Sequence, residues 1–422
     1  MKRNVAVLVL LAVLGLASFA AAQEPVEIRF FYPVQVAGPL ARTIDAMVAE
    51  FNAQHPNIRV QAIYSGNYDE TMQRAQAAAM SGNPPEVAVL LAIDLLTLVN
   101  ADLIIPLEDY LADDPAYRND FVPGFMENSQ YDGKIWSIPF QRSTPLLYYN
   151  KDMFREAGLD PEKPPTTWDE LLEYAQKLTI RDQQGNVVRH GLTMVTEDTW
   201  MLQAFILQNG GEYNNEAGTE IYLDSPATIE ALQFWVDLAN KYGVMPRHRD
   251  YGEASADFAA EQSAMMYNST GSLSFVLSSV NFDFGVAPLP GHKVQAVPTG
   301  GGNFYIFKGL TPEKEKAAWT FIKWMTSPEK VAEWSIASGY VPVRFSAFDE
   351  PRLKEYYTHF PQAAVAYEQL AYARREMALH NNQQIRELVL TAIQEALEET
   401  FTVEQALSRA QRQADRILRA FQ

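Results

Sequence analysis

Apolar residues along this chain recur at two spacings, and the order in which the spacings alternate predicts the architecture. "VEIRFFYPV", from Val26, alternates and predicts a strand. "LARTIDAMVAEFNAQHPN" follows, with Leu40, Ile44, Met47, Val48 and Phe51 at helical spacing. "IRVQAIYSG" predicts a second strand, and "YDETMQRAQAAAMSGNPP" a second helix stopped by Gly82 and two prolines. "EVAVLLA" is almost wholly apolar, as a parallel strand covered on both faces would be. Strand and helix taking turns in this way predict an open α/β sheet.

Further on, "PFQRSTPLLYYNKDMF" sets a strand, Leu146 to Tyr149, directly after the polar run Gln141-Arg142-Ser143-Thr144. Such a run either crosses the surface or lines a place where a polar ligand sits. Asn150-Lys151-Asp152 then starts a helix that ends near Gly158. From about Thr166 helical patterns predominate: "TWDELLEYAQKLT", "TIEALQFWVDLANKYG" and "EKEKAAWTFIKWMTSPEKVAEW". Thr167 ahead of Asp169 and Glu170 is a candidate N-cap with acidic residues in the first turn. Ala371 to Phe421 is expected to pack helix on helix. The sequence shows no internal repeat and no Pro/Gly/Ser-rich hinge, so two lobes joined by several passes of the chain are expected.

The first residues change the picture of where the protein works. Lys2 and Arg3, an apolar run from Val5 to Phe19, and Ala20-Ala21-Ala22 follow the order of a secretory signal peptide, cleaved after Ala22. The run is short for a membrane span, which needs about 20 residues. Cysteine does not occur, which excludes disulfides, thiolate metal sites and a lipid-bearing cysteine. A soluble periplasmic monomer is therefore expected. Hydrophobic residues at 47% and aromatics at 12% supply a large core. A formal net charge of −18 argues against nucleic acid, whose phosphates need a basic face. It leaves room for a small anion held by one local arginine, because salt screens distant charge.

Catalytic motifs do not occur: there is no Gly-x-Ser-x-Gly elbow, P-loop or His-Glu-x-x-His helix. The histidines, His55, His190, His248, His292, His359 and His380, are scattered without ligand spacing. No metal, cofactor or catalytic residue is expected, and a hydrolase would need two carboxylates facing across a cleft. The binding candidates are clearer. Gly300-Gly301-Gly302 ahead of "NFYIF" allows close approach to main-chain N–H groups, or serves as a flexible turn. Ser269, Thr270 and Ser272 precede an apolar helical run, where they either build an anion site or simply cap the helix. Arg386 in "NNQQIRELVL" is a lone cation, either on the surface or turned inward to grip phosphate. Tyr64, Tyr68, Tyr340 and Trp200 stand in loop-like contexts that suit packing against a polyol.

Several segments together carry a resemblance: "FNAQHPNIRV", "YSGNYDE", "PFQRSTPLLYYNKDMFREAGLDPEKPPTTWDEL", "TGGG", "SPEKVAEWSIASGYVPV" and "NNQQIRELV". They resemble extracellular solute-binding proteins of ABC importers, and among these the periplasmic glycerol-3-phosphate-binding subgroup. The resemblance implies a two-lobed periplasmic binding protein fold with the ligand between lobes. It places lobe 1 at 23–142 and 300–342 and lobe 2 at 143–299 and 343–422. Crossovers would lie near Gln141–Ser143, Pro298–Gly300 and Pro342–Arg344. The implied ligand contacts are Tyr68, Ser143, Ser269, Gly301, Tyr340 and Arg386, with Trp200 a looser match. The subgroup's glutamate for the glycerol hydroxyls falls on Ala92, and Asp94, two residues on, would share its side if the strand continued. That departure implies a larger pocket suited to a glycerophosphodiester such as glycerophosphocholine or glycerophosphoethanolamine. The expected partners are such a solute and the permease subunits of an ABC importer. The alternatives are a carrier of a neutral mono- or oligosaccharide and a periplasmic hydrolase.

Overall fold

A computed structural model describes residues 24–422. The expected signal peptide at 1–22 lies outside the described residues. The chain forms two five-stranded sheets, each wrapped in helices. The first sheet contains β1 (Val26–Tyr32), β2 (Ile58–Tyr64), β3 (Val87–Leu91), β4 (Ile138–Ser143) and β10 (Gly300–Ile306), in the order β2-β1-β3-β10-β4. The second contains β5 (Pro145–Asn150), β6 (Ile180–Arg181), β7 (Val187–Met194), β8 (Ser263–Ser269) and β9 (Phe284–Ala287), in the order β9-β5-β8-β7-β6. This is a mixed α/β, two-lobed fold.

Local pattern fixes the first lobe well. Helix α1 (Leu40–Gln54) buries Leu40, Ile44, Met47, Val48 and Phe51 against the sheet. No side chain caps its N-terminus, so packing holds it, at about 1.5–3 kcal/mol for each large side chain fully buried. Helix α2 (Tyr68–Met80) has the complementary arrangement, a full capping box in which Asn67 and Glu70 each accept the other's backbone N–H. The all-buried β3 pairs parallel to β1, as its apolar run predicts, but antiparallel to β10. The sheet is therefore mixed rather than wholly parallel.

The stretch after Thr166 is chiefly helical as expected, beginning with helix α3 (Trp168–Leu178), but β6 to β9 interrupt it and build most of the second sheet. Ser263–Ser269 is buried along its whole length, so it shows neither alternation nor helical spacing. Two expectations are corrected in the later chain. Residues 371–381 are not helical throughout. They run largely extended past the interlobe cleft before helix α5 (Asn382–Leu397) and helix α6 (Val403–Leu418). The glycines Gly300 to Gly302 lie inside β10 rather than in a turn.

The two sheets meet where strands change lobe. β4 ends at Ser143 in one sheet, and β5 begins at Pro145 in the other. Beside that crossing, Gly300 pairs with Ser143 and Gly301 with Arg142, while the Val341 N–H donates to the Arg142 carbonyl at 2.9 Å. Three separate stretches of chain thus bond to one another around Arg142. Its fully buried guanidinium donates to Gly301 O (3.2 Å) and Thr299 Oγ1 (3.3 Å) and lies over the Phe125 ring. Only glycine fits at 301: φ is +97°, and a Cβ would sit 1.8 Å from the Gln141 carbonyl oxygen. A Cβ at 300 would strike the Trp200 indole at 2.4 Å.

Candidate functional site

A narrow, partly open cleft lies where the sheets face each other. Gln35, Val36, Tyr68, Leu91 and Ile93 line it from the first lobe's side. Ser143, Gly301 and Tyr340 come from the crossing segments, and Asp198, Trp200, Gln203, Tyr251, Ser269, Glu376 and Arg386 close the rest. Tyr68, Ser143, Ser269, Gly301, Tyr340, Trp200 and Arg386 are thus brought together around one space. Asp94 is not among its lining residues, and Tyr64 points outward, 53% exposed.

Each lining group is held by a specific bond. The Tyr68 hydroxyl donates to Gln141 Oε1 at 2.7 Å. Burial, then the neighbouring Tyr340 phenol, push the Tyr68 pKa far up, so the group is a neutral donor and acceptor. Tyr340 follows Gly339, which ends the helix Pro328–Ser338 in the left-handed conformation at φ +91°. That turn swings Tyr340 back against Trp334, where the two rings stack. The Trp200 Nε1–H donates to Thr299 O at 2.9 Å, which fixes the indole as a wall. Ser269 Oγ accepts from Gly271 N at 3.1 Å, so the capping role foreseen for these hydroxyls is present. The helix beyond, Leu273–Ser279, is only seven residues long and supplies no separate anion site.

Arg386 is the one guanidinium that lines the cleft, and it is 8% exposed. It is already engaged: NH1 lies 2.8 Å from Asp69 Oδ1, and NH2 lies 3.8 Å from Asp198 Oδ1. Burial lowers its pKa, but Asp198, Asp69, Asp94 and Glu376 outweigh that and drive it up, so it is always charged. Asp69 sits in the first turn of α2, and Arg386 on α5. Their bond therefore bridges elements packed on opposite sides of the cleft.

Asp94 does not stand where strand alternation would put it. The strand ends at Leu91, and Ala92–Asp94 form a short 3-10 turn, which breaks the two-residue period. Leu91 and Ile93 reach the cleft instead, and Ala92 is fully buried outside its lining, so no larger pocket opens at that position. Asp94 accepts from Asn382 Nδ2 at 3.0 Å behind the wall. Burial raises its pKa to about 6, against the pull of Arg386 and the Asn382 bond.

Two acidic residues of the site escaped the sequence reading. Asp198 caps helix α4 (Thr199–Gln208), accepting from Trp200 N at 3.0 Å and from the Tyr251 hydroxyl at 2.9 Å. Its signal was legible as an aspartate just before an apolar helical run. Glu376, 5% exposed, lies in the extended segment before α5, and nothing in its local pattern marks it. Burial raises its carboxyl to about 8, while Arg142 pulls the other way. Among the described residues no cluster of three His, Asp or Glu side chains is arranged to hold a metal ion.

A cleft between two α/β lobes that gathers a guanidinium, hydroxyls and aromatic rings, beside a crossing of the chain, is the arrangement of a solute-binding protein. Residues 46–361 match the family of bacterial extracellular solute-binding proteins, and the chain belongs to it. The sn-glycerol-3-phosphate-binding periplasmic protein UgpB of Escherichia coli is 29% identical over 430 residues, spanning 97% of this chain and 96% of the relative. UgpB from Mycobacterium tuberculosis in complex with glycerophosphocholine superposes with a TM-score of 0.83 at 26% identity, covering 94% and 99% of the two chains. Maltose-bound MalE3 of T. maritima reaches 0.80, also at 26% identity, covering 92% and 99%. The protein is thus a periplasmic solute-binding component of an ABC transporter, and its family and relatives bind and transport rather than catalyse.

Proposed function

We propose that this protein captures a glycerophosphate-type solute, either glycerol-3-phosphate or a glycerophosphodiester such as glycerophosphocholine or glycerophosphoethanolamine, and delivers it to an ABC permease. The observation that carries this reading is the buried Arg386 guanidinium facing Ser143, Ser269, Tyr68 and Tyr340 across one cleft. A guanidinium fork matches two phosphate oxygens, and the hydroxyls suit the ester and glycerol oxygens. Contacts from both lobes favour the closed form, and the permease would read that form. Lobe 1 is assigned to 23–142 and 300–342 and lobe 2 to 143–299 and 343–422, with export by cleavage after Ala22 as a monomer. Calorimetry with glycerol-3-phosphate, glycerophosphocholine and maltose tests the reading. Binding of a glycerophosphate and not of maltose supports it, and the reverse ranking overturns it.

A neutral mono- or oligosaccharide is the second reading, and one observation favours it. Arg386 already has carboxylate partners in Asp69 and Asp198, so the cleft has no uncompensated positive charge at that point.

A further inference from the structure

Charges around the cleft do not balance in favour of an anion. Arg142 and Arg386 stand against four acids, Asp69, Asp94, Asp198 and Glu376. Three of those acids are bonded: Asp69 to Arg386, Asp94 to Asn382, and Asp198 to Tyr251 and Trp200 N. Glu376 differs. It is 5% exposed and lines the cleft, and its Oε2 has no hydrogen-bond partner among the described residues. The charged groups facing it are Arg142 on β4, Asp198 before α4, Arg386 on α5 and Asp94 after β3, with the phenols of Tyr68 and Tyr305 close by and Glu127 beyond Arg142. No Lys, Arg or His lies within ion-pair distance of it among the described residues.

A lone phosphate entering this cleft adds negative charge to a site already rich in it. A ligand carrying its own cation adds none. We infer that Glu376 is a specificity-determining residue that receives the ammonium group of a zwitterionic glycerophosphodiester while Arg386 takes its phosphate. The inference rests on the glycerophosphate reading above. Trp200 and Tyr251 line the same cleft and offer aromatic faces, the usual companions of a carboxylate in ammonium sites. Glu376 and Gln203 also border an adjoining, wider chamber walled by Tyr213 and Tyr222, which leaves room for a head group.

Binding should then move a proton. In the ligand-free cleft the Glu376 carboxyl titrates near 8, so at neutral pH it mostly holds its proton. A cation beside it favours the carboxylate, and that proton goes to solvent. Affinity for glycerophosphocholine, whose charge is permanent, should therefore rise as pH goes from 6 to about 9.

The test is calorimetry at neutral pH in two buffers of different ionisation enthalpy, on wild type and Glu376→Gln. The ligands are glycerophosphocholine, the uncharged-head diester glycerophosphoglycerol, and glycerol-3-phosphate. The expected result is proton release with glycerophosphocholine and none with glycerophosphoglycerol; glycerol-3-phosphate, whose own second ionisation lies near neutral pH, serves as the affinity reference. Glu376→Gln should abolish the release and weaken that ligand by at least about tenfold, while glycerophosphoglycerol changes by less than about threefold. Equal loss for both diesters, or wild-type binding of glycerophosphocholine without proton release, overturns the inference and leaves the glycerophosphate reading standing. Failure of wild type to bind any of the three overturns that reading, and this inference with it. The wild-type proton count decides the matter even if the variant folds poorly.

Discussion

Two buried arginines close to the cleft are held in opposite ways. Arg142, at the crossing of the lobes, is fully buried and donates to neutral oxygens of Gly301, Thr299 and Asn303. Burial lowers its pKa, with Glu376 opposing from a distance. Arg386, on the cleft wall, is bonded to the carboxylate of Asp69, and Asp198 stands nearby. A buried cation that ties the Gly301 carbonyl to the Thr299 and Asn303 side chains cannot be exchanged without tearing the crossing apart, so Arg142 is a strut. A cation held by carboxylates, one of them 45% exposed, can trade a partner for a ligand oxygen. The polar run "QRST" does not cross the surface, since all four of its residues are buried. Ser143 faces the ligand space, while Arg142 turns away from it and ties the crossing strands together.

If that contrast is right, the largest effect should come at the strut. Arg142→Ala would leave the Gly301 and Thr299 acceptors unpaired in the interior, at about 1–3 kcal/mol each, and add a cavity. We expect a loss of about 3 kcal/mol or more in urea unfolding, before any question of ligand arises. Gly301→Ala attacks the same crossing through its backbone and should also lower the melting temperature, because φ is +97° and Gln141 O blocks the Cβ. If either variant melts like wild type, the crossing is not held as described.

Arg386→Ala should behave differently. It should remove charge-assisted bonds worth about 1.5–3 kcal/mol, and so weaken a glycerophosphate ligand at least about tenfold in calorimetry. Undiminished affinity would break the comparison and favour the sugar reading.

A third expectation concerns pH. Asp94 and Glu376 are raised to about 6 and about 8, above their unfolded values. The stability from their protonated forms is present at low pH and is lost as pH rises through those values. Ligand-free protein should therefore lose stability through this pair between about pH 4 and pH 8, and Glu376→Gln should flatten the upper part of that slope in thermal melts. A slope unchanged by the variant would show that Glu376 is not the group responsible.

The smallest effect tests the exchange itself. Asp69→Asn frees Arg386 from a partly exposed pair worth roughly 0–1 kcal/mol. Binding of a glycerophosphate should tighten up to about fivefold. Weakened binding would mean that Asp69 aids the ligand rather than competing with it.

Short-range order was legible where it decided the outcome. The five buried positions of α1, the apolar β3 and the Thr167 cap follow from spacing and end chemistry within a few residues. The family was legible as well, since motifs spread through the chain carry it, and with it the two-lobed fold. Seven of the eight predicted site residues line one cleft. What the sequence left open depends on contacts between distant residues. Strand β8 is buried on all sides, so its pattern is uniform and no periodicity betrays it. Asp94 turned away because the chain leaves β3 at Leu91, an end set by what packs around it rather than by its own residues. Glu376 became a cleft residue only when the segment before α5 was laid against β4, α4 and the turn after β3. A carboxylate's burial, its charge neighbours and therefore its proton affinity belong to that assembly, because they are sums over groups that lie hundreds of residues apart in the chain and a few ångströms apart in the fold.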